Sequence, residues 1–223
     1  MLAAILTVLY ALLLPSVHRG RNGALRSQCK NNLLQIGLAL RQYVDAYQAL
    51  PPAYTVDSDG RPLHSWRTLI LPYLDQKPLY DSIDLTKPWS DPANAEAFQT
   101  RLDVYRCPSF PGPDTQTIYM AVVAAESCLR AGEPRFMSDI KDGASMTLMI
   151  IEVPVDHAVH WMSPFDADEQ LILGLSTDSK TAHAGGLQAT LCDGSIRFIS
   201  DKLPSETRRA LITIAGGEKV EDF

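Results

Sequence analysis

The sequence predicts an α+β fold, in which a long N-terminal helix packs on an antiparallel β-sheet head with short helices. Residues 31–47 form an amphipathic stretch whose apolar positions recur at the spacing of a helix that buries one face. These positions are Leu33, Ile36, Gly37, Leu40, Tyr43, Val44 and Tyr47. Late in the chain, Asp193-Gly194 separates the alternating segments Leu187–Cys192 and Ser195–Ser200, which predicts a two-residue hairpin turn with positive φ at both turn positions. An early helix and late antiparallel strands together indicate α+β.

The N-terminal helix is expected to have two parts with different surroundings. Residues 1–17 are apolar and uncharged, and residues 18–30 are basic. We expect residues 1–27 to lie in a membrane or among other apolar helices, and residues 28–223 to form the globular head, with the amphipathic half of the helix as its spine. The length of this apolar run lies at the lower limit of the about 17–25 residues that a helix needs to cross a bilayer. The alternative is a short cytosolic core helix followed by a separate one.

Charge is distributed unevenly along this chain of 223 residues, whose net charge is −6. The segment from His18 to Arg41 contains no acidic residue and five basic ones, namely Arg19, Arg21, Arg26, Lys30 and Arg41. Such a collar beside an apolar run suits lipid headgroups or acidic neighbouring subunits. An acidic head with a basic collar does not indicate a nucleic-acid partner. The positive-inside tendency alone would place the head in the cytoplasm.

Short elements are predicted between the long helix and the hairpin, and a last helix after it. Ser65 is expected to cap one helix and Asp91 another. The run Met146–Val153 is almost continuously apolar and predicts a central strand. The other predicted elements are helices at Trp66–Leu74, from Asp91 to about Leu102 and at Pro204–Ile214, and strands at Val104–Cys107 and Thr117–Ala124.

The titratable residues give little support to an enzyme. His183, Asp193 and a serine could form a catalytic triad, but no G-x-S-x-G elbow is present, and the hairpin turn already explains Asp193. His157 and His160 with Asp156 could bind a metal, yet residues three apart on a strand point to opposite faces. We therefore predict a protein without enzymatic activity, catalytic residues or catalytic metal.

Two further sets of acidic residues deserve a structural interpretation. Glu152 lies inside an apolar strand, and a buried carboxylate needs a partner, for which His183 and Arg197 are the candidates. The other set consists of loop carboxylates, the hard oxygen ligands that Ca²⁺ prefers: Asp139, Asp142, Asp166, Asp168 and Asp178. None has EF-hand spacing, so the only cofactor expected is a structural calcium ion, and solvated carboxylates are the alternative.

The chain also resembles a known family over almost its whole length. His183 is followed by nine residues and then Asp193-Gly194, a His-x9-Asp-Gly signature, and Glu152 belongs to another matching segment. The other matching segments are Ala11–Val17, Gln28–Leu33, Ile36–Leu40, Leu50–Pro52, Trp66 with Leu71–Leu74, Tyr105–Ser109, Asp142–Leu148 and Asp193–Ile199. These segments, in this order, resemble the pilin-like proteins abundant in planctomycetes.

The resemblance implies a subunit similar to type IV pilins or to type II secretion pseudopilins. Such proteins hold their N-terminal helix in the inner membrane as a single pass, with the head outside the cytoplasm. After processing by a prepilin peptidase, the helices pack into a filament core. The implied partners are inner-membrane lipid and other pilin-like subunits. In that compartment disulfides form; the pattern of the cysteines cannot be deduced, and Cys29 and Cys107 are a candidate pair.

The N-terminus departs from the family pattern. Family members begin with a basic leader and a glycine before the apolar stretch, whereas this sequence begins at Met1 within that stretch. Either the true start lies upstream or this copy has lost processing. We favour an upstream start, because its basic residues on the cytoplasmic side would remove the conflict with the positive-inside tendency.

Three functions are consistent with these observations. The first is a non-enzymatic, membrane-anchored, pilin-like subunit of an extracytoplasmic filament or secretion-type assembly. The second is an anchored surface protein whose pilin-like head binds a ligand as a monomer. The third is an extracytoplasmic hydrolase, which would need a concave cluster of perturbed titratable groups.

Overall fold

The computed structural model describes the backbone of residues 2–218, 220 and 223, and the side chains of residues 23–218, 220 and 223. The predicted α+β class is confirmed. The helices are α1 (Leu2–Tyr47), α2 (Trp66–Leu69), α3 (Lys77–Asp81), α4 (Ala95–Gln99), α5 (Glu169–Leu173) and α6 (Ser205–Ile212). The strands are β1 (Tyr54–Val56), β2 (Pro62–Ser65), β3 (Gln116–Thr117), β4 (Tyr119–Val123), β5 (Leu148–Glu152), β6 (Val159–His160), β7 (Ala167–Asp168), β8 (Gly186–Leu191) and β9 (Ile196–Ser200).

The core of the head is a five-stranded sheet in the order β7-β4-β5-β8-β9. Strand β5 lies in its centre and is buried along its whole length, as the apolar run at residues 146–153 predicted. Only the β4–β7 pair is parallel among the neighbours of this sheet, so the sheet is mixed rather than purely antiparallel. β1–β2 and β3–β6 form separate two-stranded ladders.

Helix α1 packs against β8 and β9 through the apolar face predicted from its periodicity. Leu33, Ile36 and Leu40 are buried, whereas Tyr47 is 62% exposed and does not belong to that face. The helix ends at Tyr47, and Gln48 turns the chain with a φ of 58°. A methyl group at Gly37 would lie 3.1 Å from the Thr190 side chain. The small residue therefore lets the helix approach β8 closely.

The β8–β9 hairpin is confirmed, but its turn differs from the predicted type. Only Gly194 has a positive φ, of 85°, and the Gly194 N–H donates to the Leu191 carbonyl at 2.9 Å. This is the longer turn that ends in a left-handed glycine. The amides of Cys192 and Asp193 donate to the carbonyls of Thr147 and Ala144. The turn is thus held by the loop before β5, which a local pattern cannot reveal.

The strand predicted at Val104–Cys107 is wrong, because residues 103–105 form a turn of 3-10 helix. The reason is a contact with a distant part of the chain. Asn32 of α1 is buried, and its amide donates to the carbonyls of Asp103 and Arg106 at 3.2 and 2.9 Å. These carbonyls are therefore satisfied by a side chain rather than by a neighbouring strand.

The predicted caps at Ser65 and Asp91 are confirmed, since each side chain accepts a backbone N–H of the helical turn that follows. The helix predicted to begin at Asp91 is a 3-10 turn followed by α4. Residues 1–27 are the expected membrane segment. The side chains of residues 1–22 lie outside the part of the chain that the structure describes. Within the part of the chain described, no helix combines the length and hydropathy of a membrane span.

Candidate functional site

Four buried side chains meet where α1, the 3-10 turn at residues 103–105, β5 and the segment before β8 come together. They are Cys29, Cys107, Glu152 and His183, and the sulfur, carboxylate and imidazole atoms that face one another all lie within 4.8 Å. Three of the side chains are fully buried, and His183 is 6% exposed. We call this set the Cys–Glu–His cluster.

A disulfide between Cys29 and Cys107 joins the helix to the head. Cys29 lies on the buried face of α1 and Cys107 just after the 3-10 turn, with their Cα atoms 5.3 Å apart. Asn32 lies about one turn further along the helix and fixes the same 3-10 turn through its two hydrogen bonds. The covalent bond and the amide therefore act on one short segment, and both anchor α1 there.

Glu152 ends the central strand and is held from two sides. Its Oε2 accepts the backbone N–H of Gln188 at 2.7 Å, and its Oε1 lies 3.2 Å from His183 Nε2. Of the two partners that the sequence suggested for this carboxylate, the structure brings His183 to it. Arg197 is exposed instead.

His183 is positioned by an unusual loop immediately before β8. The Thr181 hydroxyl donates to the His183 carbonyl at 2.7 Å. Gly186, which follows, has a φ of 156°, and a methyl group there would lie 2.1 Å from the Ile199 carbonyl oxygen. Only glycine fits, because the chain must pass close to β9. This path places His183 Nε2 also 3.7 Å from Cys107 Sγ.

Tyr119 lies next to the cluster, and its pKa is affected by burial and by the Glu152 carboxylate. It lies directly opposite Glu152 in the β4–β5 ladder and is fully buried. Burial, and next the nearby Glu152 carboxylate, raise the pKa of Tyr119 well above its ordinary value. The phenol therefore remains protonated at neutral pH.

The His-x9-Asp-Gly signature does not form one site. His183 precedes β8 and contacts the cluster, whereas Asp193 and Gly194 follow β8 in the hairpin turn. The Asp193 carboxylate accepts the Ser195 N–H at 2.8 Å, and Gly194 packs near Gly37 of α1. The nine residues between His183 and Asp193 therefore include strand β8, which separates the two parts of the signature.

The other candidate metal ligands do not form a group with the spacing of a metal site. The Cys–Glu–His cluster is the only group with suitable ligand spacing among the described residues. His157 is exposed, and His160 Nε2 bonds to the Phe98 carbonyl at 2.8 Å. The expected calcium ligands have separate tasks: Asp139 and Asp168 cap helical turns, Asp142 accepts the amides of Gly216 and Gly217, Asp166 pairs with Arg67, and Asp178 is exposed.

Arg67 is an important buried residue that the sequence did not reveal. It is fully buried, pairs with Asp166 at 2.7 Å, and donates to four backbone carbonyls. Those carbonyls belong to Tyr119, Trp161, Ser163 and Phe165. Arginine is ordinarily exposed, so neither its type nor its position in a short helix indicates such a role.

The cluster is buried, and it does not line a cleft that several other titratable groups border. That cleft, of about 580 Å³, lies beside α5 and is lined in part by Asp156, His157, Asp168, Asp178 and Lys180. The cluster can crosslink the fold, hold an ion pair or, once reduced, offer thiols.

Comparison with known proteins finds one family. Residues 18–136 match the family model SBP_bac_10, described as a protein of unknown function (DUF1559). The matched segment contains both cysteines of the cluster and ends before Glu152 and His183. No curated protein and no solved structure matches the chain.

Proposed function

The chain belongs to the DUF1559 family of proteins of unknown function, and from this premise we propose that it is a non-enzymatic, membrane-anchored, pilin-like subunit of an extracytoplasmic assembly. In this proposal, residues 1–27, the apolar segment with its basic collar, anchor the chain in the inner membrane as a single pass, and Arg26 of the collar already contacts the head. The head, residues 28–223, lies outside the cytoplasm. The partners are membrane lipid and other pilin-like subunits, and nucleic acid is not among them.

The observation that carries the proposal is that the C-terminal half of α1 packs on the sheet of the head. From Cys29 to Leu40 one face of the helix is buried against the sheet, and Arg26 lies over the Phe198 ring of β9 at 3.7 Å. The C-terminal half of the helix packs on the sheet, and the helix continues toward the N-terminus beyond it. The resemblance to pilins implies this architecture.

The Cys29–Cys107 disulfide supports a head outside the cytoplasm. Disulfides persist in oxidising compartments, whereas cytosolic thiols are kept reduced. This bond also resists forces that would pull the helix away from the head, since it joins Cys29 on the helix to the segment after the 3-10 turn. Such a crosslink suits a subunit that is held through its helix.

The closed cluster supports a role without catalysis. His183 is only 6% exposed, and its Nε2 faces the buried atoms Glu152 Oε1 at 3.2 Å and Cys107 Sγ at 3.7 Å. A general base must reach a substrate proton within hydrogen-bond distance. We therefore assign Glu152 and His183 to the stability of the fold.

The experiment uses two leucines on the outer face of α1. Leu34 and Leu38 are 37% and 58% exposed, one helical turn apart, and provide an apolar surface for a neighbouring subunit. We expect the protein extracted from membranes in mild detergent to migrate as a large complex in native electrophoresis. The L34K/L38K variant should shift to the monomer without loss of folding, because neither leucine lies in the core.

The matched control is Q35K/Q42K, which adds the same charge at exposed polar positions of the same helix. It should keep the complex. A wild-type protein that is monomeric in its membrane would contradict the assembly, and a complex that both variants preserve equally would contradict the contact through Leu34 and Leu38. Protease added to spheroplasts should degrade the head, and protection of the head would contradict its extracytoplasmic location.

A ligand-binding monomer is the second candidate, and the cleft beside α5 is the observation that favours it. Its volume of about 580 Å³ is in the range of small-molecule sites. In that case the wild-type protein would remain anchored but monomeric, and the lysine substitutions on α1 would leave ligand binding unchanged.

A further inference from the structure

The Cys–Glu–His cluster has the ligand spacing of a tetrahedral metal site. His183 Nε2 lies 3.2 Å from Glu152 Oε1 and 3.7 Å from Cys107 Sγ. Neighbouring ligand atoms around tetrahedral Zn²⁺ are about 3.3–3.8 Å apart, given bonds of about 2.0–2.3 Å. The nitrogen–oxygen and nitrogen–sulfur separations are therefore already close to these values, and the remaining ligand atoms, including the Cys29 sulfur, lie within the same 4.8 Å limit.

The disulfide prevents metal binding, because its sulfurs are joined and carry no negative charge. A phosphine reductant and water convert the disulfide to two thiols and the phosphine to its oxide, a balanced two-electron step. After the S–S bond is broken, the sulfurs must separate to about 3.8 Å to bind one metal ion. Both remain near Glu152 and His183, because the burial of the helix face and the hydrogen bonds from Asn32 to the segment of the 3-10 turn keep the two cysteines in place.

Electrostatics favours a divalent cation once the thiols are free. Glu152 is fully buried, and His183 is its only ion-pair partner among the described residues. Two additional thiolates without a counter-charge would be costly at such a site. A divalent ion would displace the two thiol protons and any proton on His183 Nε2, because that nitrogen must be deprotonated to bind it. Its charge would balance two of the three negative charges on Glu152 and the two thiolates. Thiolate and imidazole ligands select zinc-class ions over calcium or magnesium.

We propose that Cys29, Cys107, Glu152 and His183 form a closed binding site for a zinc-class divalent ion when the Cys29–Cys107 disulfide is reduced. The same four side chains thus have two alternative states, a disulfide beside an ion pair and a tetrahedral metal centre. The redox state of the compartment selects between them. All four ligands come from the chain, which is the arrangement of a structural rather than a catalytic zinc site. The inference does not depend on the proposed assembly.

The test is a titration of the full-length protein with Co²⁺ under anaerobic conditions, after reduction with a phosphine that is then removed. Co²⁺ in a tetrahedral thiolate site gives intense visible d–d bands and a sulfur-to-cobalt charge-transfer band in the near ultraviolet. We expect one Co²⁺ per reduced chain, displacement by Zn²⁺, and no such bands with the oxidised protein. Absent bands in a reduced protein whose circular dichroism is native would overturn the proposal.

Variants locate the site. H183A and E152Q should each weaken Co²⁺ binding by about tenfold or more, since losses of even supporting groups cost 10–100-fold in affinity. C29S/C107S should abolish the charge-transfer band. The matched control is C128S/C192S, which removes the other two buried cysteines and should keep the full spectrum.

The isosteric E152Q substitution keeps the test decisive where other variants fail to fold. An unchanged spectrum and affinity in both E152Q and H183A would place the metal elsewhere and overturn the proposal. Loss of the bands in C128S/C192S with native circular dichroism would do the same.

Discussion

Removal of the Cys29–Cys107 disulfide is expected to destabilise the protein strongly. The bond closes a loop with a sequence separation of 78 residues. In the chain-entropy relation, closing a loop of that length lowers the entropy of the unfolded chain by about 15 cal/mol/K, or about 4.5 kcal/mol at 25 °C. We therefore expect C29A/C107A to lower the free energy of unfolding by up to about this amount, since measured effects range from about 0 to 5 kcal/mol.

The measurement is urea unfolding followed by far-UV circular dichroism, in oxidising buffer and again after reduction. Wild-type protein should lose about the same stability on reduction as C29A/C107A loses by substitution. The variant itself should be insensitive to the reductant, because Cys128 and Cys192 are free. Native-state hydrogen exchange should show that the amides of α1 between Cys29 and Leu40 become less protected.

Two results would refute this reasoning. A loss below about 1 kcal/mol would mean that the unfolded chain is not constrained by the bond, or that Asn32 and the buried helix face hold α1 without it. Equal reductant sensitivity of the variant and the wild type would mean that another pair of cysteines carries the effect. C128A/C192A, with the disulfide intact, is the control that separates these cases.

Three more predictions concern Arg67, His160 and Gly186. R67M leaves the Asp166 carboxylate buried without its cation and should cost about 3–5 kcal/mol in urea unfolding, whereas R67M/D166N should cost less than the sum of the single changes; additive losses would contradict the coupling. Burial chiefly, aided by the Arg67 charge, lowers the pKa of His160 from its ordinary 6.5, so the unfolded chain takes up the proton first as the pH falls. The contribution of His160 to stability is therefore complete above about pH 6.5 and declines below it. H160Q should flatten this decline in the free energy of unfolding, whereas H157Q should not. Equal pH profiles of stability for H160Q and the wild type would contradict the assignment. G186A should destabilise strongly because its methyl group would meet the Ile199 carbonyl oxygen, and a lower thermal midpoint is the readout. The control is G23A, at a helical glycine in open space without a positive φ, which should not lower the midpoint.

The sequence alone determined the elements whose signals are local. The spacing of Leu33, Ile36 and Leu40 identifies the buried face of α1 because helical periodicity is written in neighbouring residues. The apolar run around β5 and the alternation that flanks Asp193-Gly194 identify the central strand and the hairpin for the same reason. Tyr47 shows the limit of this logic, since periodicity continues one turn further than the head covers.

The candidate site was only partly visible in the sequence. Glu152 could be singled out because an acid inside an apolar strand requires a partner, and His183 was one of its two candidates. That Cys107 and His183 meet depends on contacts between residues 76 positions apart in the chain. The signature His-x9-Asp-Gly suggested one motif, whereas the strand between its members carries them to separate places.

What the tertiary structure decided is where polar groups lose contact with water. The amides of Cys192 and Asp193 select the turn type by bonding to the loop before β5, and Asn32 converts a predicted strand into a 3-10 turn. Arg67 is buried because carbonyls from distant segments converge on its guanidinium. Local patterns report which residues avoid water, but the partners that buried polar groups require come from distant parts of the chain, and only the folded chain assembles them.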